Sequence, residues 1–245
     1  MPSLSDLIDI SSDQWVERNA DFHKRVEMPA LIASETNSNI PSAQKSPQIQ
    51  IMESVSSTKA GVQRSRITAV VNLQASGVDR LPVANTGIEA LVLQGDLCVS
   101  AEQMTEVGTG KYIRIPAMSN VDLHSENGCQ LFIKFGEMVD SDEGIRHIDT
   151  LPSDNWLPGP AEGTEVIPLH VYEGRSILLI RWSEAAWFKP QLDPQGEELF
   201  VIKGVVHDAL GSYGVGSWIR NPVPVWQAWG GHPGTIAYYK NGHFP

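Results

Sequence analysis

One internal repeat constrains this chain more than any other feature. Glu198-Leu199-Phe200-Val201-Ile202-Lys203-Gly204 matches Glu89-Ala90-Leu91-Val92-Leu93-Gln94-Gly95 without a gap. Around that pair, residues 176–182 match 67–73, residues 216–222 match 110–116, and residues 235–240 match 130–135. A period this long is not a solenoid unit, so the chain reads as a duplicated domain.

Each copy is written in strands. In the first, the apolar runs at 67–73, 89–99, 111–116 and 129–135 are separated by Gly, Pro and Asn clusters. That punctuation belongs to a β-sandwich or barrel. Ahead of the first copy, residues 4–18 are expected to be a tail or a short helix, with Ser11 or Ser12 capping Asp13-Gln14-Trp15-Val16-Glu17-Arg18. The polar stretch 34–57 reads as a connector, relieved by a short alternating strand at 48–51. The expected layout is a segment at 1–18, a first domain at 19–136, a linker and start of the second unit at 137–160, and a second domain at 161–245.

Composition excludes several functions. The 29 acidic residues outnumber the 18 basic ones, a formal net charge of −11. Nucleic-acid affinity comes mainly from Lys and Arg meeting phosphate, so this balance argues against such a partner. It fits a cytoplasmic protein. No apolar stretch reaches the length of a membrane helix, and the N-terminus lacks the basic and apolar segments of a secretory signal. Cys98 and Cys129 fall in apolar strand runs, without a Cys-x-x-Cys or Cys/His cluster. They are expected to be buried free thiols.

Two stretches carry the candidate site. One runs from Gln191 to Gly204, the other from Gly216 to Gln227. Their spacing resembles the two motifs of the cupin family, G-x5-H-x-H-x3-E-x6-G and G-x5-P-x-G-x2-H. Glu197 lies seven residues before Gly204, and Pro222 six residues after Gly216, as in those motifs. Gly-Glu-Glu-Leu-Phe-Val-Ile-Lys-Gly, Gly-Ser-Trp-Ile-Arg-Asn-Pro and the C-terminal Tyr-Tyr-Lys-Asn-Gly-His-Phe-Pro are similar to the ChrR-type cupins, named for a zinc-binding anti-sigma factor. Trp156-Leu157-Pro158-Gly159-Pro160 and Val166-Ile167-Pro168-Leu169-His170 fit the same group in its two-cupin form. The resemblance implies an all-β chain of two tandem cupin domains, each a jelly-roll barrel.

The same resemblance implies a metal site of three His and one Glu, and here the chain departs from it. In the second copy the four positions hold Gln191, Asp193, Glu197 and Gln227. In the first they hold Pro82, Ala84, Ile88 and Val121, which offer a metal nothing, so the first barrel is expected to be metal-free and packed with carbon. Glu89 neighbours the motif position and should point to the opposite face. A transition metal is not expected in the second copy, because no motif position supplies imidazole.

Two buried carboxylates need compensation. A hard cation, Mg²⁺, Mn²⁺ or Ca²⁺, could sit on Asp193 and Glu197. One acid could instead keep its proton, or the pocket could hold ordered water. Alternation places Trp229 on the same face as Gln227, making Gln191, Asp193, Glu197, Gln227 and Trp229 the ligand-pocket candidates. His232, near Gln227, is a further candidate ligand; His124 reads as a solvated turn residue.

Three functions compete. The first is a non-catalytic cupin that binds a small polar ligand or regulates, with a sigma factor as the partner the resemblance suggests. The second is an enzyme acting through the second barrel, since ChrR-type cupins include metal-dependent dioxygenases. The third is a partner-binding scaffold, with a homodimer formed through edge strands.

Overall fold

The computed structural model describes residues 16–19, 22–25, 48–59, 62–75, 81–82, 87–100, 105–119, 121–138, 141–142, 146–189, 191–192, 196–221 and 226–242. They are almost wholly β, with one 3₁₀ turn at Ser153–Asn155. The strands fall into two compact units, residues 27–149 and residues 150–245, the latter together with residues 1–26.

In the first unit the main sheet is built from β1 (Gln48–Lys59), β2 (Val62–Leu73), β3 (Ile88–Ser100), β4 (Lys111–Ile115) and β5 (Cys129–Phe135), in the order β4-β3-β5-β2-β1. In the second it is built from β6 (Thr164–Tyr172), β7 (Arg175–Trp182), β8 (Glu197–Lys203), β9 (Trp218–Asn221) and β10 (Ile236–Asn241), in the order β9-β8-β10-β7-β6. The two orders are the same arrangement written twice, which is what a duplicated sequence should produce.

Alternation along each strand sorts side chains between two faces. In the first unit Ile88, Ala90 and Val92 of β3 join Val71, Ile113 and Leu131 in one apolar core. In the second, Leu199 and Val201 of β8 do the same with Ile180, Trp182, Ile219 and Ala237. Glu89 lies out of step with the first core, as alternation requires, but it is buried rather than solvated. It forms a buried ion pair with Arg114, 3.5 Å from Nε to Oε1, and Arg114 is itself held by both carboxylate oxygens of Asp142, at 3.2 and 2.6 Å. A buried guanidinium is tolerable because two carboxylates satisfy it.

Local chemistry sets the turns. Glu173 and Gly174 join β6 to β7 with φ of +46° and +78°, the two left-handed residues of a type I′ hairpin. Asp208 Oδ1 accepts from the backbone N–H of Leu210 and Gly211 at 2.7 and 3.0 Å and from the Tyr213 hydroxyl at 3.2 Å. This Asx turn closes the hairpin of Val206–Asp208 and Gly211–Tyr213.

Several expectations change. Val16–Arg18 are not helical: Val16–Asn19 pairs antiparallel with Phe22–Arg25, where strand hydrogen bonds replace a cap that would have served only a few residues. That pair groups with residues 150–245. The rest of the segment at 1–15 lies outside the described residues. The expected short strand at 48–51 extends through Lys59, because its pairing with β2 continues across the mostly polar residues 54–59. Arg146–Asp149, within the stretch expected to link the units, pairs with β4 and extends the first sheet.

Candidate functional site

The site is built on one transverse row of the second sheet. Strand pairing sets Ser176 of β7 beside Asn241 of β10, Asn241 beside Glu197 of β8, and Glu197 beside Asn221 of β9. The equivalent row of the first sheet is Ile67, Phe135, Ile88 and Ile115. Position for position, four carbon side chains in one unit are a hydroxyl, an amide, a carboxylate and a second amide in the other. In the first unit Ile88 and Ile115 are core residues, and Ile67, Phe135 and Val121 pack against that core.

The polar row is fully engaged. Glu197 Oε1 accepts from Trp229 Nε1 at 2.7 Å and from Asn221 Nδ2 at 3.1 Å; its Oε2 accepts from the Tyr239 hydroxyl at 3.0 Å. Ser176 donates its hydroxyl to Asn241 Oδ1. Three neutral donors thus meet one half-buried carboxylate. Charge-assisted bonds of this kind are stronger than neutral ones.

Glu197 and Trp229 line one cavity of about 190 Å³. Its carbon wall comes from Leu178, Ile180, Phe188 and Leu199, and its polar wall from Ser176, Tyr239 and Asn241, with exposed Lys189 also on the lining. Trp229 is held there by the strand Gly230–Gly231 that follows it. A Cβ on Gly230 would lie 2.5 Å from the Trp187 ring, and one on Gly231 would lie 2.6 Å from the Trp182 ring. Only glycine allows indoles to lie so close to this strand.

Of the other candidates, Gln191 and Gln227 are cross-strand partners, Gln191–Leu192 pairing with Trp226–Gln227. Their side chains, and Asp193, lie outside the described residues, as do Ala84 and the side chain of Pro82. His232 does not join Glu197. Its ring stands edge-on to His207 at 4.5 Å between centroids. Burial, and then the neighbouring His232, push the His207 pKa below its ordinary value. His124 is not solvated: it is 4% exposed, opposite Cys98 in the strand register, with Nδ1 3.3 Å from Ser100 Oγ. Cys98 and Cys129 are buried free thiols, and burial pushes the Cys129 pKa up to about 12.

Asn221, Asn241 and Tyr239 escaped the sequence reading. Matching residues 235–240 to 130–135 sets the last strand one residue out of register. Lys240 pairs with Glu198 as Lys134 pairs with Glu89, so Lys240 is the counterpart of Lys134, not of Phe135. A one-residue slip exchanges the faces of a strand, and it moved Tyr239 and Asn241 off the cavity. Matching Glu-Lys pairs in the two copies would have found them.

The sequence match agrees with this picture. Residues 146–245 match the family described as ChrR Cupin-like domain. The match takes in residues 150–245 of the second unit, its ChrR cupin-like domain. No curated protein matches the chain in sequence. Among solved structures, the chain is similar to the protein Ylba from E. coli, with a TM-score of 0.58 at 17% identity over 84% of this chain and 87% of that one. It is similar to a Cupin 2 conserved barrel domain protein from Leptotrichia buccalis, with a TM-score of 0.53 at 11% identity over 77% and 88% of the two chains. It is also similar to a quercetin 2,3-dioxygenase from Acinetobacter baumannii, with a TM-score of 0.52 at 11% identity over 81% and 79%. At these identities the likeness concerns the cupin fold.

Cupins of this kind imply a metal, and the described donors of the ChrR cupin-like domain do not fit one. Glu197 is the one carboxylate on the described lining of the cavity, and its oxygens already accept from three donors. Among the described residues, no three of His, Cys, Asp and Glu converge as a ligand set. Among them, too, no helix is long and apolar enough to cross a membrane.

Proposed function

We propose that this is a non-catalytic cupin protein whose ChrR cupin-like domain binds a small polar organic ligand, with a regulatory outcome, and that it works in the cytoplasm. The observation that carries the reading is the contrast between the two transverse rows. Ile67, Phe135, Ile88 and Ile115 close one barrel with carbon, whereas Ser176, Asn241, Glu197 and Asn221 give the other a polar wall beside a cavity of about 190 Å³. Polar groups in a cavity are costly to keep unless they are satisfied, and a few convergent polar groups in an apolar pocket are the usual form of a ligand site. The engaged state of Glu197 favours binding over chemistry, because its donors fix its position and the described lining of the cavity holds no His.

The net charge of −11 supports a partner other than nucleic acid. A sigma factor or a second copy of the chain would be the protein partner through which ligand binding is reported.

The test is a thermal-shift screen of small polar and amphipathic molecules against the full chain. Ligands that bind the pocket should raise the melting temperature in proportion to concentration. The same molecules should lose their effect on Leu199→Trp, whose indole would occupy the cavity. A screen in which every stabilising compound acts equally on Leu199→Trp would contradict the reading.

A further inference from the structure

Resting on that reading, we infer that the cavity of the second unit takes an uncharged molecule of one aromatic ring bearing a hydroxyl, with Ser176 Oγ as the acceptor of its hydrogen bond. Each wall of the cavity specifies one part of such a molecule.

The carbon wall sets size and shape. A cavity of about 150 Å³ lined by Leu, Ile and Phe takes benzene, so about 190 Å³ accommodates one ring and a short substituent. Leu178, Ile180 and Leu199 supply aliphatic surface, and Phe188 and Trp229 supply two rings. Both rings are fixed before a ligand arrives. Phe188 stands edge-on to Trp182 at 5.7 Å between centroids, its backbone N–H donates to the Trp229 carbonyl at 2.7 Å, and the Trp229 indole is tied to Glu197. A preformed slot with ring walls favours a flat, rigid guest, which loses little conformational freedom on binding.

The polar wall sets charge. Glu197 already accepts from Trp229, Asn221 and Tyr239, so an ammonium entering the cavity would compete with donors in place. A carboxylate would find the lining's ammonium in Lys189, which is exposed. An ion pair with an exposed lysine contributes little, and moving a charge out of water costs far more than moving a hydroxyl. Charge of either sign is therefore selected against.

Ser176 sets the polar group. Its hydroxyl hydrogen goes to Asn241 Oδ1, and Ser176 lines the cavity. A hydroxyl oxygen also carries two lone pairs, so Ser176 meets a ligand as an acceptor. A ligand O–H supplies the matching donor without bringing charge.

The experiment is calorimetric titration of the full chain at neutral pH with benzyl alcohol, toluene, benzylamine and benzoate, four ligands of nearly one size. Benzyl alcohol should bind tightest and toluene next, with benzylamine and benzoate weaker than benzyl alcohol by about tenfold or more. Ser176→Ala should weaken benzyl alcohol by about fivefold, the worth of a neutral hydrogen bond, and leave toluene unchanged. Benzylamine or benzoate binding as tightly as benzyl alcohol would overturn the inference. So would toluene binding more tightly than benzyl alcohol, or Ser176→Ala weakening the two equally; all of these would leave the pocket itself standing. If none of the four binds, the ligand-binding reading falls with it.

Discussion

The indole nitrogen of Trp229 donates to Glu197 Oε1 over 2.7 Å, joining two residues 32 positions apart in the chain. Trp229 is only 4% exposed, so this bond fixes the carboxylate from inside the barrel. Asn221 and Tyr239 complete the set from the neighbouring strands β9 and β10. The half-buried carboxylate is thus a fixed part of the cavity wall.

Removing that carboxylate should therefore cost more than restoring apolar character gains. Glu197→Ile copies the first unit's Ile88 but strands three donors, each costing about 1–3 kcal/mol when buried without a partner. We expect a loss of at least about 3 kcal/mol in urea unfolding. Glu197→Gln should cost less, because the amide oxygen still accepts from Trp229 and Asn221 and the Tyr239 hydroxyl can rotate to accept from the amide. Equal losses for the two variants would show that the donors do not depend on Glu197.

Gly231→Ala should destabilise the second unit through Trp182. The new methyl would lie 2.6 Å from a ring that is 1% exposed and has nowhere to move. Overpacking of this kind costs about 1–3 kcal/mol. Gly174→Ala is the comparison. It also disturbs a glycine, at φ +78°, but nothing lies within 4 Å of its added methyl. Its cost should be only the left-handed backbone penalty of about 1–2 kcal/mol. Near-ultraviolet circular dichroism should report the Trp182 environment changing in the first variant and not in the second.

His207 should make stability fall in mild acid. Burial first, and then His232, depress its pKa in the folded state. An unfolded His titrates near 6.5, so above that value neither state binds the proton. As the pH falls through about 6.5 toward the lower folded value, the unfolded state takes the proton first and stability declines. NMR titration should place His207 below the ordinary range, and His207→Gln should flatten the decline in urea midpoint between pH 7.5 and 5. In His232→Ala the His207 pKa should rise, yet stay depressed, because burial is the larger cause.

The fold was legible in the sequence because strand punctuation and the ungapped match of residues 198–204 to 89–95 both survive without tertiary knowledge. Glu197 and Trp229, named from motif spacing and alternation, lie on the lining of one cavity. Asn241 and Tyr239 were missed, since matching residues 235–240 to 130–135 sets their strand one residue out of register. His124 was misread because a polar flanking sequence hides that it closes a strand pair with Cys98. The strand Val16–Asn19 was missed for a similar reason: its stability comes from pairing, which capping residues do not announce.

We propose that the second unit holds a hydrogen-bonded carboxylate in place of a metal centre, and metal content tests this most directly. Elemental analysis of the full chain, purified without chelator and dialysed against iron, nickel and zinc in turn, should find far less than one equivalent of each. One tightly held equivalent of any of the three, lost in Glu197→Gln, would contradict the account.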